Sequence, residues 1–167
     1  MYIWDLNNGE VVAGHKLSTP ASVLMWVEQK KISQYVQYEL VMGHGNVLNK
    51  CFLSYEAQRT QWGIKSTPYA MPPAGGLVRN FTCVDVSDDL TYILAGTVGG
   101  EMMTFRRDTS VFRACVPVCA HGLQAVVALP GGDVIVGGGD GVIKRLRGRD
   151  MAWQVVLEVR LSTYHTI

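Results

Sequence analysis

A chain of 167 residues with 48% apolar and 17% charged side chains carries enough hydrophobic material for one real core, which excludes an intrinsically disordered segment. Its 15 Lys and Arg against 14 Asp and Glu leave a formal charge of +1, so no global field draws it to nucleic acid or to an anionic membrane. No apolar run approaches the roughly 18 residues of a membrane span, and any charged partner has to be met locally.

The start, Met1-Tyr2-Ile3-Trp4-Asp5, has neither the basic opening nor the apolar run of a signal peptide. Together with four scattered cysteines (Cys51, Cys83, Cys115 and Cys119), this leads us to expect a reducing, intracellular setting. Helical periodicity is weak everywhere, whereas short runs rich in Val, Ile, Thr, Tyr and Phe alternate with clusters of Gly, Pro, Asn and Asp. That pattern predicts an all-β chain. In order, the clearest strands are "ASVLMWV", "QYELVMG", "FTCVDVS", "TYILAGT", "GEMMTFRR", "VFRACVPVC", "LQAVVALP", "DVIVGG", "GVIKRL" and "WQVVLEVRL". Between the second and third of these, "YELVMGHGNVLNKCF" continues into another strand, with "QRTQWGIKS" as its outer partner. The stretch Lys65 to Gly76, with its prolines and glycines, reads as a connection between sheets.

The chain repeats itself. When "VSDDLTYILAGTVGGEMMTFRRD" is laid on "LPGGDVIVGGGDGVIKRLRGRD", Ala95 falls on Val136, Gly96 on Gly137, Gly100 on Gly141 and Phe105 on Leu146, each offset being 41. A period of this length is that of a four-stranded propeller blade. Near the N-terminus, Trp4-Asp5 and Gly14-His15 are the paired dipeptides of the WD repeat, around a turn at Asn7-Asn8-Gly9. The expected fold is therefore a set of WD-repeat β-propeller blades, divided at about 1–15, 16–66, 77–119 and 120–161, with 65–76 as the connection. A closed propeller takes roughly four to eight blades. About three to four blades are an incomplete portion of a larger ring, so the rest of its own propeller is an expected partner.

The segment "IVGGGDGVIKRLRG" resembles a phosphate loop only in its glycines. No Gly-Lys-Ser/Thr follows, "VIKRL" is strand-like rather than helical, and Asp140-Gly141 is a preferred pair for a two-residue hairpin. The cations that follow raise a separate possibility. Alternation along a strand puts Arg145 and Arg147 on one face and Lys144 on the other. With Arg149, and with Arg106 and Arg107 at the matching place one repeat earlier, they form a candidate basic patch for an acidic protein surface, against the plainer reading of a solvated blade edge. Catalytic and metal chemistry is not indicated. Cys115 and Cys119 would lie about 13 Å apart on one strand, the four histidines are isolated, and Asp88-Asp89 suits a β-turn. We expect no enzyme, no cofactor and no metal, and core positions for Trp26, Trp62 and Trp153.

Three stretches carry a more specific likeness: "QWGIKSTPYAMPPAGGLVRNFTCVDVSDD", "YILAGTVGGEMMTFRRDTSVFRACVPV" and "DVIVGGGDGVIKRLRGRD". From about Tyr38 to Leu161 the chain resembles the ciliary WD-repeat family of cilia- and flagella-associated protein 52. The resemblance implies consecutive WD propellers and a structural, non-enzymatic role inside the doublet microtubules of the axoneme. Tubulin and neighbouring inner-junction proteins would be the partners, in the cytoskeleton of a cilium or flagellum. The sequence departs from the WD pattern where Phe105 and Leu146 replace the tryptophan and Arg106 and Arg147 the aspartate. A rival reading is a cytosolic adaptor that recognises a short peptide motif on the ring face. A more distant one is an enzyme with a propeller lid.

Overall fold

β-branched and aromatic residues at alternate positions, cut by glycine turns, favour extended backbone over helix, and the chain follows that preference. The structure, a computed structural model, describes residues 1–72, 80–149 and 152–161. Among these, four antiparallel sheets follow one another in chain order and no helix is present. Sheet I pairs β1 (Tyr2–Trp4) with β2 (Val11–Gly14). Sheet II is a meander of β3 (Ala21–Ile32), β4 (Tyr35–His44), β5 (Val47–Glu56) and β6 (Gln61–Pro68). Sheet III follows with β7 (Phe81–Val86), β8 (Tyr92–Thr97), β9 (Glu101–Arg106) and β10 (Phe112–Pro117). Sheet IV closes the series with β11 (Leu123–Ala128), β12 (Asp133–Gly138), β13 (Val142–Arg149) and β14 (Ala152–Arg160). The first strands lie beside one another, β3 against β7 and β7 against β11.

Sheet III is covered by sheet II on one side and by sheet IV on the other, so its middle strands have no solvent face. On β8, Ile93 and Ala95 point back to sheet II while Leu94 points forward to sheet IV. On β9, Met103 and Phe105 point back and Met102 forward, and all six side chains are fully buried. The II/III core joins them to Val23, Val41, Leu48, Tyr69 and Phe81. The III/IV core contains Leu123, Val126, Val134, Val136 and Leu146. Between sheets I and II, Ala13 meets Leu40, Met42, Cys51 and Leu53.

Equivalent glycines stand in the second strand of each four-stranded sheet. A Cβ on Gly96 would collide with Cys83 Sγ and the Leu123 side chain, and one on Gly43 would collide with Val23 and come within 3.3 Å of Phe81 Cβ. Glycine lets the first strand of the following sheet approach this closely. The second-to-third-strand hairpins use positive φ instead. Gly100 (φ 88°) donates its N–H to Thr97 O at 3.0 Å, and Gly141 (φ 75°) to Gly138 O at 3.2 Å.

Three local expectations are corrected. The hairpin after β12 has a three-residue loop, Gly139 to Gly141, in which Gly141 alone takes positive φ. A short turn closed by a left-handed glycine fits the strand twist as well as a two-residue loop does. Lys65 to Pro68, read as the beginning of a connection, completes β6, with Pro68 paired to Asn49. Pro68 is tolerated there because β6 is the outer strand. Tyr69 then crosses to sheet III and lays its ring 5.3 Å from that of Phe105, while residues 73–79 of the connection lie outside the described residues. Finally, β3 runs on past "ASVLMWV" through Glu28 to Ile32, in a long hairpin with β4.

Phe105 is the strongest test of this packing, since it also contacts Phe81 and Phe112 with ring centroids 6.5 Å and 5.9 Å away. Phe105→Ala should cost about 3–5 kcal/mol in urea unfolding. Val155→Ala, at an exposed position of β14, should stay within about 0.5 kcal/mol. Similar small effects for both would contradict a core built between sheets II and III.

Candidate protein-interaction surface

The cations singled out in the sequence separate into an exposed set and a buried one. Arg106 ends the third strand of sheet III and Arg147 stands two residues before the end of that of sheet IV, each opposite the first residue of the second strand, Tyr92 and Asp133 respectively. Arg106 lies over the Tyr92 ring at 5.5 Å and donates from Nε to Asp108 Oδ1 at 3.0 Å. Arg147 donates from Nε to Asp133 Oδ1 at 2.9 Å and from Nη2 to Oδ2 at 3.0 Å. Arg145, on the same face, donates from Nε to Asp133 Oδ2 at 2.6 Å, while Lys144 on the opposite face pairs with Glu158 at 3.3 Å. The hydrogen bond from Arg147, and after it that from Arg145, hold the Asp133 carboxyl at a pKa of about 2 against the opposing pull of desolvation. Arg149 ends β13, and its side chain lies outside the described residues.

Arg107 does not belong to an exposed patch. It is only 7% exposed and spans the II/III junction. Its Nε and Nη2 grip the Glu39 carboxylate at 3.0 Å and 2.7 Å, Nη2 also meets Glu28, and Nη1 donates to Leu90 O at 3.2 Å. Lys50 of sheet II crosses the same junction, donating to Arg107 O at 2.6 Å. The hydrogen bond from Arg107, and then that from Lys30, pull the Glu28 carboxyl below its ordinary range, while Glu39 raises that of the Arg107 guanidinium. The sequence concealed this role because Glu39 and Glu28 lie 68 and 79 residues away. A hydrogen bond from Ala128 N–H to Asp85 Oδ2 at 2.8 Å braces the III/IV junction, so an aspartate-centred link survives in these sheets.

A cleft of about 600 Å3 opens between sheets I and II. Its lining includes Trp4, Trp26, Tyr38 and Trp62 together with the acids Asp5 and Glu28. Trp26 meets Tyr38 edge-on at 5.9 Å, and Tyr38 lies 6.1 Å from Trp62. Trp26 is 53% exposed, which corrects its expected core position, because sheet I has only two strands and leaves the inner part of sheet II uncovered. Trp62 and Trp153 are half-buried.

The remaining candidates serve local structure. Asp89 Oδ1 accepts from Thr91 N–H at 3.0 Å and from Ser87 Oγ at 2.6 Å, as a turn residue does. His44 Nδ1 sits 3.3 Å from Thr19 Oγ1. Cys51 is buried and Cys83 and Cys119 half-buried, with thiols that burial pushes up, whereas Cys115 is exposed. Among the described residues, no group of three or more His, Cys, Asp or Glu side chains gathers as metal ligands would.

Removing Arg107 leaves the buried Glu39 carboxylate without its cation and Glu28 with Lys30 alone. Arg107→Ala should therefore destabilise the fold by about 3–5 kcal/mol, whereas Arg107→Met combined with Glu39→Leu should recover most of the loss. Chemical denaturation of the two variants checks this, and a double variant no better than the single one would show that the pair is not the unit.

No protein-family model matches the chain, and no curated protein matches its sequence. Solved structures do match its fold. The RRP9 WD40 repeats superpose with a TM-score of 0.60 at 12% identity, covering 92% of this chain and 42% of that one. U3-55K matches with a TM-score of 0.60 at 11% identity, again over 92% and 42%. The Cps50 (Swd1) β-propeller domain of Myceliophteria thermophila matches with a TM-score of 0.52 at 10% identity, over 95% and 65%. The chain thus spans less than half the length of the first two. With its four-stranded sheets stacked in chain order, the fold is an open, partial WD40 β-propeller of about three to four blades.

Proposed function

We propose that the chain is part of a non-enzymatic protein-interaction scaffold of the ciliary axoneme, a microtubule inner protein that meets tubulin and inner-junction neighbours. The carrying observation is the pair Arg106 and Arg147, which stand at equivalent places in consecutive sheets with side chains 40% and 56% exposed. Cations repeated along one rim suit an extended acidic surface better than a single small ligand does. The likeness of "YILAGTVGGEMMTFRRDTSVFRACVPV" and its neighbouring stretches to the ciliary WD-repeat family supports the choice of tubulin. The partner ions Asp108 and Asp133 hold the arginines in place without removing them from solvent. Co-sedimentation of the chain with stabilised microtubules over a salt series tests this reading. Binding should weaken as salt rises and should fall about tenfold in an Arg106→Glu/Arg147→Glu variant. Failure to pellet, or pelleting insensitive to both salt and the substitutions, would overturn it.

The aromatic cleft favours a second reading, an adaptor that holds a cationic side chain of a peptide between Trp4, Trp26 and Tyr38 beside Glu28. An arginine-rich peptide should then quench tryptophan fluorescence saturably, and Trp26→Ala should abolish the quench. A signal unchanged by that substitution would remove the cleft from consideration.

A further inference from the structure

A notch of about 220 Å3 opens at the II/III junction, and its lining includes Lys30, Glu39 and Lys50 of sheet II with Arg106, Arg107 and Asp108 of β9 and the turn after it. Both sheets have four strands, so the notch lies between complete neighbours. Its charges are unequally matched. Glu39 gives one oxygen to Arg107 Nε at 3.0 Å and the other to Nη2 at 2.7 Å. Its cross-strand partner Glu28 accepts from Arg107 and lies 3.0 Å from Lys30 Nζ. Asp108 Oδ1 accepts from Arg106 Nε at 3.0 Å and from Thr109 N–H at 2.8 Å. Lys50 is left with neutral partners. Its Nζ donates to the carbonyls of Arg107 and Asp108 at 2.6 Å and 3.4 Å and lies 5.3 Å from the centre of the Phe52 ring, and among the described residues no carboxylate pairs with it.

The packing of the repeat does not call for this cation. In sheet II, Val41 opposes Lys50 and Gly43 opposes Leu48. In sheet III, Leu94 opposes Thr104 and Gly96 opposes Met102, and in sheet IV, Ile135 opposes Arg145 and Gly137 opposes Ile143. Lys50, Thr104 and Arg145 therefore hold one place in the repeat. Thr104 is neutral and fully buried there. Arg145 has its own acid, Asp133 at 2.6 Å, whereas Glu39, which holds the place of Asp133, is taken by Arg107. We infer that the notch receives one carboxylate side chain, an Asp or Glu on the surface of a protein partner, with Lys50 as its main counter-charge. The Lys50 ammonium has a third hydrogen beyond the two directed at the carbonyls. Lys30 and Arg106, with side chains 57% and 40% exposed, stand beside it at the surface. Four cations, Lys30, Lys50, Arg106 and Arg107, meet the three acids Glu28, Glu39 and Asp108, so one negative charge balances the site. A phosphate group brings close to two and would face Glu39 and Asp108 with charge to spare. Such a seat deepens the acidic-partner reading proposed above and rests on it.

Fluorescence anisotropy of a labelled oligoglutamate peptide, titrated with the intact chain at low salt, provides the test, with oligoglutamine as the uncharged reference. Oligoglutamate should bind and oligoglutamine should not. Lys50→Gln, which keeps a donor for the two carbonyls but no charge, should weaken binding about tenfold, and Lys50→Arg should restore most of it. Lys31→Gln removes the same charge from an exposed position outside the notch and should leave binding unchanged. Circular dichroism should show the same β content in every variant. Absence of oligoglutamate binding overturns the inference, and so do equal losses in Lys50→Gln and Lys31→Gln, which would reduce the effect to general attraction. Displacement of the peptide by inorganic phosphate but not by acetate at equal ionic strength would mark a phosphate site and overturn it as well. Peptide binding through Lys50 in a chain that fails to pellet with microtubules would uphold the seat and remove tubulin as the partner. Pelleting through Arg106 and Arg147 with peptide binding indifferent to Lys50 would do the reverse.

Discussion

A strand buried on both of its faces needs a neighbour on each side, and this requirement governs the molecule. The central strands β8 and β9 send alternate side chains into two different cores, so the middle of sheet III has no side on which polar residues could face water. An antiparallel sheet in isolation commonly solvates one face. Here the second face is closed by the following repeat, and the unit of stability is the junction between sheets rather than the sheet. Burial of apolar area at each junction then supplies the main driving force, in the manner of a quasi-one-dimensional array.

Apolar contact alone does not fix how one sheet sits on the next, since aliphatic surfaces slide at little cost. The polar links at the junctions set the register. Arg107 reaches from sheet III to Glu39, Lys50 from sheet II to the turn that bears Arg107, and Asp85 from sheet III to the backbone of β11. A buried ion pair of this kind is weak as a source of net stability and strong as a constraint on geometry, because misplacing it strands a charge. The exposed arginines follow a different logic. Asp133 orders Arg145 and Arg147 at a surface where hydration already accounts for most of their charge, which leaves them available to a partner.

The repeat was legible in the sequence because its markers are local: glycine at the tight hairpins, alternating apolar runs, and a spacing of 41 that recurs at four separate positions. The alternation that places Arg145 and Arg147 together was equally readable, since it depends only on strand geometry. What depends on distant chain was not. Nothing around Arg107 discloses that Glu39 faces it, and no local pattern separates it from the exposed Arg106 next to it. Trp26 sits among apolar neighbours in an apolar strand, and only the two-stranded width of sheet I leaves it exposed. The extra loop residue at Gly139 escaped for a smaller reason, because an Asp-Gly pair serves loops of both lengths.

The glycines at 43 and 96 have a geometric consequence beyond close approach. They lie where the first strands converge, whereas Phe105, with Tyr69 and Phe112 around it, lies toward the outer strands. Each sheet is therefore a wedge, thin at its inner margin and thick at its outer one, and close packing turns that taper into an angle between neighbours. The curvature of the stack is in this way written in side-chain volumes. Enlarging the inner margin would straighten the arc while leaving every strand in place.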